Sequence, residues 1–122
     1  MNAAPAFTPR AAARVGTACR ETITELVDQC IDTGHCDVVA DIARPYPVPI
    51  ICTMLGVPRE DWQLFSDCLR SISKAFGITA AANESDILIA WQKLDLYLED
   101  LVARRRRSPA DDLISELIRA AE

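Results

Sequence analysis

Three prolines interrupt the run Val39-Ala40-Asp41-Ile42-Ala43-Arg44-Pro45-Tyr46-Pro47-Val48-Pro49-Ile50-Ile51, which is followed closely by Leu55-Gly56-Val57-Pro58. Each proline removes a backbone donor and constrains the residue before it, so no regular helix crosses the first half of the run. A helix is predicted to begin at about Pro47 to Pro49 and to end at Gly56. This helix is apolar on nearly every side and is therefore expected to be buried.

Apolar residues three and four positions apart predict further helices on both sides of this run. Upstream, Thr8 is the predicted cap of a helix that starts at Pro9 and stops near Gly34. The stretch from Cys36 to Ala43 is predicted as a brief strand or an extended connector. The chain is therefore predicted to be all-α, with about five helices. Three downstream helices are expected. The first starts at Pro58, and the second runs from the cap Asn83 through the run Arg104 to Arg107. The third starts at Ser108 and Pro109 and has Asp111 and Asp112 in its first turn.

The composition limits the classes of protein and partner. With 122 residues, half of them hydrophobic and a quarter charged, the chain has the length and composition of one globular domain. Its net charge of -5 and pI near 4.8 repel phosphate backbones, so no nucleic-acid partner is expected. No apolar run reaches the ~20 residues of a membrane span and the N-terminus has no secretory pattern, so we expect a cytoplasmic protein without a membrane partner. The five cysteines lack close paired spacing, which predicts reduced thiols rather than a disulfide framework or a four-cysteine zinc site.

The central run and two flanking segments together carry a family resemblance. Upstream lies Ala6-Phe7-Thr8-Pro9-Arg10, and downstream lies Arg105-Arg106-Arg107-Ser108-Pro109-Ala110-Asp111-Asp112-Leu113-Ile114-Ser115. In order and in spacing, these segments resemble the middle of a bacterial cytochrome P-450, a haem-thiolate monooxygenase. The resemblance covers almost the whole chain and implies the helices conventionally lettered D to H. Residues 1–122 are therefore expected to form a single segment, the central helical part of a partial cytochrome P-450 fold.

The resemblance implies an activity whose machinery lies outside these helices. Intact members of the family insert one oxygen atom from O2 into an organic substrate, using haem and electrons from a ferredoxin or a flavoprotein. Their haem-ligand cysteine has Phe seven positions before it, Gly four before it and Gly two after it. The residues seven positions before the five cysteines of this chain are Ala12, Ile23, Gln29, Pro45 and Asp61.

The other haem contacts of the family would lie beyond the two ends of the chain. These contacts are the oxygen-activating helix and the residues that hold the haem propionates. The resemblance therefore implies no catalytic, cofactor-binding or metal-binding residue in this chain. We expect it to bind no haem and to be inactive alone.

One predicted helix is expected to take part in substrate binding. In the family, the helix that matches Pro58–Lys74 forms part of the lid over the substrate cavity. The substrate implied is a small apolar organic molecule. The residues expected on or near the cavity wall are Leu69, Ile72, Ser73 and Phe76.

Other residue patterns favour structural roles. Arg104 to Arg107 are expected to complement a helix C-terminus and to pair with Asp100. The segment Glu116-Leu117-Ile118-Arg119 has an i,i+3 charge spacing that is common on helix surfaces and is not read as a family motif. Three candidate zinc ligands lack a fourth ligand at sensible spacing: Cys30, His35 and Cys36. Four aromatic residues at helical spacing are expected in the core rather than in an aromatic box: Trp62, Phe65, Phe76 and Trp91.

The competing hypothesis is a stand-alone helical interaction module that kept the scaffold and binds a protein or a small apolar ligand. A nucleic-acid binder that uses the arginine run is disfavoured by the acidic balance. If the helix that covers them in the family is absent, the apolar stripes of Ile87–Val102 and Leu113–Ile118 lose their cover. Self-association through exposed apolar helix faces is then expected.

Overall fold

A computed structural model describes residues 8–77 and 81–122 of the chain. These residues form no strand, and the predicted all-α fold is confirmed. Ala6 and Phe7, which carry part of the family resemblance, lie outside the described residues. The five helices are α1 (Pro9–Ile31), α2 (Pro47–Leu55), α3 (Trp62–Ser73), α4 (Glu84–Arg107) and α5 (Leu113–Ala121).

Local chemistry sets the ends of the first two helices as predicted. The Thr8 hydroxyl accepts a hydrogen bond from the Ala11 amide at 3.2 Å and caps α1. After α1, Gly34 has a φ of 68° and its amide donates to the Cys30 carbonyl at 3.1 Å. At the end of α2, Gly56 has a φ of 81°, a left-handed conformation that glycine adopts without a Cβ penalty.

The prediction of a brief strand or an extended connector from Cys36 to Ala43 is wrong. Residues Val38–Ala43 form a π-helical turn. The Asp37 carboxylate accepts hydrogen bonds from the Val39 and Ala40 amides, each at 3.0 Å, while the Asp37 amide donates to the Asp41 carboxylate at 2.8 Å. Because these two carboxylates satisfy the backbone locally, the helical turn replaces the extended conformation that the Val and Ile residues favour.

The predicted start of the last helix at Ser108 and Pro109 is also wrong, because α5 begins at Leu113. Asp112 is its cap, with an extended backbone and a carboxylate that accepts from the Ser115 amide at 2.8 Å. The Ser115 hydroxyl in turn accepts from the Ala110 amide at 2.9 Å. These two hydrogen bonds, one to the Asp112 carboxylate and one to the Ser115 hydroxyl, hold residues 108–112 as a linker rather than as the first turn of a helix.

The core lies where α3 packs on α4 and where α2 and α5 close the sides. Phe65 is 2% exposed, and its ring meets that of Tyr97 edge-on at 5.2 Å. The core prediction is wrong for Phe76, which is 91% exposed, and for Trp91, which is 47% exposed. The buried members of the main cluster are Cys52, Val57, Phe65, Cys68, Ile72, Ala90, Leu94, Leu101 and Ile114.

Helix geometry explains both exposed aromatic residues. Because α3 ends at Ser73, Phe76 belongs to a separate 3-10 turn and no longer follows the buried face of α3. On α4, Ala90 and Leu94 occupy the inner row, and Trp91 lies about 100° round the helix from Ala90.

One stretch of the described residues, Val38–Leu55, has the length and mean hydropathy of a membrane span. The backbone does not form one helix over this stretch, because the π-helical turn ends at Ala43 and α2 begins at Pro47. A membrane span must satisfy its backbone groups without interruption. Little of the stretch is buried, since α2 buries Ile50 and Cys52 and the π-helical turn buries no residue, so the prediction that α2 is buried is wrong for most of its length.

Candidate functional site

A cavity of about 380 Å³ lies between the π-helical turn, the start of α2 and one face of α3. Two of the residues predicted on a substrate-cavity wall, Leu69 and Ser73, line this cavity. They stand four positions apart and therefore share one face of α3. The other lining residues are Ala40, Arg44, Pro45, Val48, Ser66 and Arg70.

The other two predicted wall residues lie elsewhere. Ile72 is 7% exposed and packs into the core between α3 and α4, on the face of α3 that points away from the cavity. Phe76 is exposed in the 3-10 turn after α3. The structure thus brings Leu69 and Ser73 together and separates them from Ile72 and Phe76.

Two arginines of this cavity were missed by sequence reasoning. Arg70 pairs with Asp67 at 3.6 Å, but both side chains are more than half exposed, so this pair contributes little stability. Arg44 forms no ion pair with any described residue. No periodic signal in the sequence connects Arg44 with Arg70, because they line one cavity only through the tertiary packing of the chain. An apolar wall with a guanidinium rim can hold a small organic molecule that carries an anionic group.

A second cavity, of about 410 Å³, lies between α1, α2 and the start of α5. The residues that line this second cavity are Thr8, Ala11, Ala12, Arg14, Val15, Thr53, Met54 and Leu113. Neither this cavity nor the first has a cysteine or a histidine in its lining.

The structure places the five cysteines of the chain in different surroundings. Cys52 and Cys68 are buried in the core, whereas Cys19 and Cys30 are half-buried and Cys36 is exposed. Burial raises the pKa of the Cys52 thiol to about 11, and burial also raises the pKa of Cys68. Burial therefore disfavours the thiolate form of both side chains in the chain as it stands.

A buried ion pair joins α2, α4 and α5. The Arg105 guanidinium of α4 donates to the Asp112 carboxylate at 2.5 Å and to the carbonyl of Gly56, at the end of α2, at 2.8 Å. The Asp112 side chain is 4% exposed. Since Asp112 also caps α5, this junction fixes α5 relative to α2 and α4.

The charge state of Asp112 depends on its partners. Burial raises the pKa of this carboxyl, but hydrogen bonds from Ser115 and from Arg105, together with the Arg105 charge, outweigh burial and hold the pKa below its ordinary value. The carboxylate is therefore charged in the folded protein at neutral pH.

Other sequence predictions about charged residues and metal ligands have clear structural outcomes. The predicted pair of Arg104 with Asp100 is confirmed, at 3.0 Å. Glu116 contacts Arg14 of α1 at 3.8 Å. Among the described residues no three His, Cys, Asp or Glu side chains meet in a group that could hold a metal ion.

The chain is similar over nearly its whole length to bacterial cytochromes P-450. It is 41% identical over 118 residues to the mycinamicin IV hydroxylase/epoxidase of Micromonospora griseorubida, and the match covers 96% of this chain and 29% of that protein. It is 33% identical over 114 residues to cytochrome P-450 130 of Mycobacterium tuberculosis, and the match covers 93% of this chain and 28% of that protein. No protein-family model matches the chain.

A solved structure gives the same result for the fold. A mutant of the mixed-function P-450 MycG, in complex with mycinamicin V, superimposes with a TM-score of 0.75 and 37% identity over 93% of this chain and 28% of that chain. The predicted resemblance is confirmed, and the chain is homologous to part of the bacterial cytochromes P-450. It has an all-α partial cytochrome P-450 fold and spans about 29% of the length of the mycinamicin enzyme.

Proposed function

We propose that this chain is the central helical segment of a bacterial cytochrome P-450 monooxygenase and that, without the haem-ligand loop, it is inactive alone. The observation that carries the proposal is the superposition of 93% of the chain on 28% of the MycG P-450. In the intact enzyme, bound haem supplies the activation of O2, and a ferredoxin or a flavoprotein supplies electrons. This segment supplies scaffold and part of the lid over the substrate, and we expect the enzyme in the cytoplasm.

The contribution to substrate binding centres on α3. We propose that Leu69, Ser73 and Phe76 lie on the wall of the substrate cavity in the intact enzyme, and that Ile72 lies near it, in the core layer behind the wall. Leu69 and Ser73 already share a cavity in this chain, which supports their part of the proposal. The large exposure of Phe76 leaves its ring available to contact a small apolar organic substrate.

A chimaeric enzyme tests the proposal. The matching segment of the mycinamicin IV hydroxylase/epoxidase is replaced by this chain, and the product is purified, reduced and exposed to carbon monoxide. We expect the chimaera to hold haem and to absorb near ~450 nm, the signature of thiolate ligation, whereas the isolated chain gives no such band.

The control for this experiment is the same enzyme carrying the matching segment of cytochrome P-450 130, which is 33% identical to this chain. If the control chimaera absorbs near ~450 nm and the chimaera with this chain holds no haem, the proposed scaffold role is contradicted. A band from the isolated chain would contradict the proposed inactivity and the interpretation of its five cysteines.

The exposed side of α4 favours the second hypothesis, an interaction module. Four large apolar residues on this helix are between 47% and 67% exposed, a pattern that marks contact surfaces. These residues, here called the α4 apolar face, are Leu88, Ile89, Trp91 and Leu96.

The isolated chain is expected to self-associate through the α4 apolar face and to bind a hydrophobic dye. Leu96→Glu should lower the apparent mass in light scattering and reduce dye fluorescence, because it places a charge on the most exposed residue of the face. Ile31→Glu on α1 is the matched control, since Ile31 is 63% exposed but lies on another helix. A monodisperse monomer with a sharp thermal transition and no dye binding would contradict the expected self-association.

A further inference from the structure

The cavity of about 380 Å³ beside α3, here called the α3 cavity, combines apolar, hydroxyl and guanidinium groups. Four of its lining residues stand three or four positions apart and share one face of α3: Ser66, Leu69, Arg70 and Ser73. The others come from the π-helical turn, the linker after it and the start of α2: Ala40, Arg44, Pro45 and Val48. None of these described lining residues is acidic, so the two arginines give the α3 cavity a positive rim.

Both guanidinium groups of the α3 cavity are available to a ligand. The Arg44 side chain has no hydrogen bond or ion pair with any described residue, while its amide donates to the Val39 carbonyl at 2.9 Å and anchors the backbone. The Arg70 guanidinium lies 3.6 Å from Asp67 Oδ1, and the Gln63 amide already donates to that oxygen at 3.0 Å. Because the pair with Asp67 is long, shared and more than half exposed, a ligand anion can replace it with little loss of stability.

The second cavity also has an arginine in its lining, but that arginine is already paired. The Arg14 guanidinium contacts the Asp111 carboxylate at 2.9 Å and the Glu116 carboxylate at 3.8 Å, and it donates to the Asp111 carbonyl. An anion bound there would meet two carboxylates as well as the cation, and like charges repel. Of the two cavities, the α3 cavity is therefore the one that favours an anion.

We propose that the α3 cavity binds an apolar organic acid, with the carboxylate between Arg44 and Arg70 and the hydrocarbon part against Leu69. The proposal rests on the proposed function, since it makes apolar organic acids the substrate class of the intact enzyme. Guanidinium groups bind carboxylates through planar, charge-assisted hydrogen bonds. The Ser66 hydroxyl has no partner among the described residues and supplies a further donor. The volume of about 380 Å³ suits a small organic ligand.

Octanoate and octanol test the proposal, because they carry hydrocarbon chains of similar length and differ in charge. We expect the 122-residue chain to bind octanoate about tenfold more tightly than octanol in isothermal titration calorimetry at neutral pH and low salt. Added salt should weaken the binding of octanoate and leave that of octanol nearly unchanged. Arg44→Gln and Arg70→Gln should each reduce the preference for octanoate. Arg20→Gln is the matched control and should keep it, since Arg20 is exposed on α1 and lines neither cavity.

Two outcomes would overturn the proposal. Octanoate affinity no greater than that of octanol in the unmodified chain would show that the α3 cavity does not select an anion. A preference that persists in both Arg44→Gln and Arg70→Gln, with unchanged far-ultraviolet dichroism, would place the anion elsewhere on the chain.

The haem content of the chimaera described above tests the proposed function separately. A chimaera without haem, beside an isolated chain that prefers octanoate, contradicts the proposed function and supports the anion site. A chimaera that holds haem, beside an isolated chain without this preference, supports the proposed function and contradicts organic acids as its substrate class.

Discussion

Gly56→Ala is expected to abolish stable packing of α5 or to unfold the chain. A Cβ at this position would lie 2.0 Å from an Asp112 carboxylate oxygen and 2.5 Å from its carboxyl carbon. The φ of 81° adds a backbone cost of about 1–2 kcal/mol for any residue with a Cβ. Displacing Asp112 from Arg105 leaves a buried charge without its partner, which costs about 3–5 kcal/mol. The sum is a large part of the stability of a small domain.

The control for this substitution is Gly34→Ala. Gly34 also has a positive φ, of 68°, but a Cβ there would meet no atom within 4 Å. It should therefore show the backbone cost alone, and its urea midpoint in far-ultraviolet dichroism should fall far less than that of Gly56→Ala. Equal midpoints for the two variants would contradict the importance of the contact between Gly56 and Asp112.

The contrast between these glycines also shows what local sequence predicts. Both were predicted to end helices, and both adopt the left-handed conformation that this role requires. The second role of Gly56, its contact with Asp112, depends on how α5 packs beside α2. No local pattern carries that information, because the two residues are far apart in the chain.

The candidate cavity illustrates the same limit. The resemblance placed Leu69 and Ser73 with Ile72 and Phe76, but the rotation of about 100° per residue sends Ile72 to the core while its neighbours line the cavity. The end of α3 at Ser73 removes Phe76 from the helix altogether. Which face of a helix meets solvent is decided by the neighbouring elements, here α4 on one side and the π-helical turn on the other.

The four arginines at the end of α4 also show which roles local sequence predicts and which it does not. The sequence predicts that Arg104 to Arg107 complement the end of α4, and all four do lie in its last turn. Locally they are equivalent. Of these four arginines, Arg105 contacts Asp112 and Gly56, because its position on α4 faces the start of α5. Its role is therefore a tertiary property.

Arg105→Ala is expected to destabilise the chain by about 3–5 kcal/mol at neutral pH, since it leaves the buried Asp112 carboxylate uncompensated. Arg106→Ala is the matched control: it removes the same side chain from the next, exposed position of α4 and should shift the urea midpoint only slightly. Similar midpoints for the two variants would contradict the structural role of the ion pair.

The pH dependence separates the charge of Arg105 from its packing. The pKa of Asp112 is lowered in the folded state, so its stabilising contribution is complete above the ordinary value of 3.8 and is lost as the pH falls through the folded-state pKa. Removal of Arg105 takes away a hydrogen bond and a positive charge that both lower the pKa of Asp112, so the pKa of this carboxyl rises. The difference in unfolding free energy between the variant and the unmodified chain should therefore shrink between neutral pH and about pH 3, where a protonated Asp112 no longer needs a cation. A difference that stays constant over this range would assign the effect of Arg105 to lost packing of its side chain, because packing does not titrate.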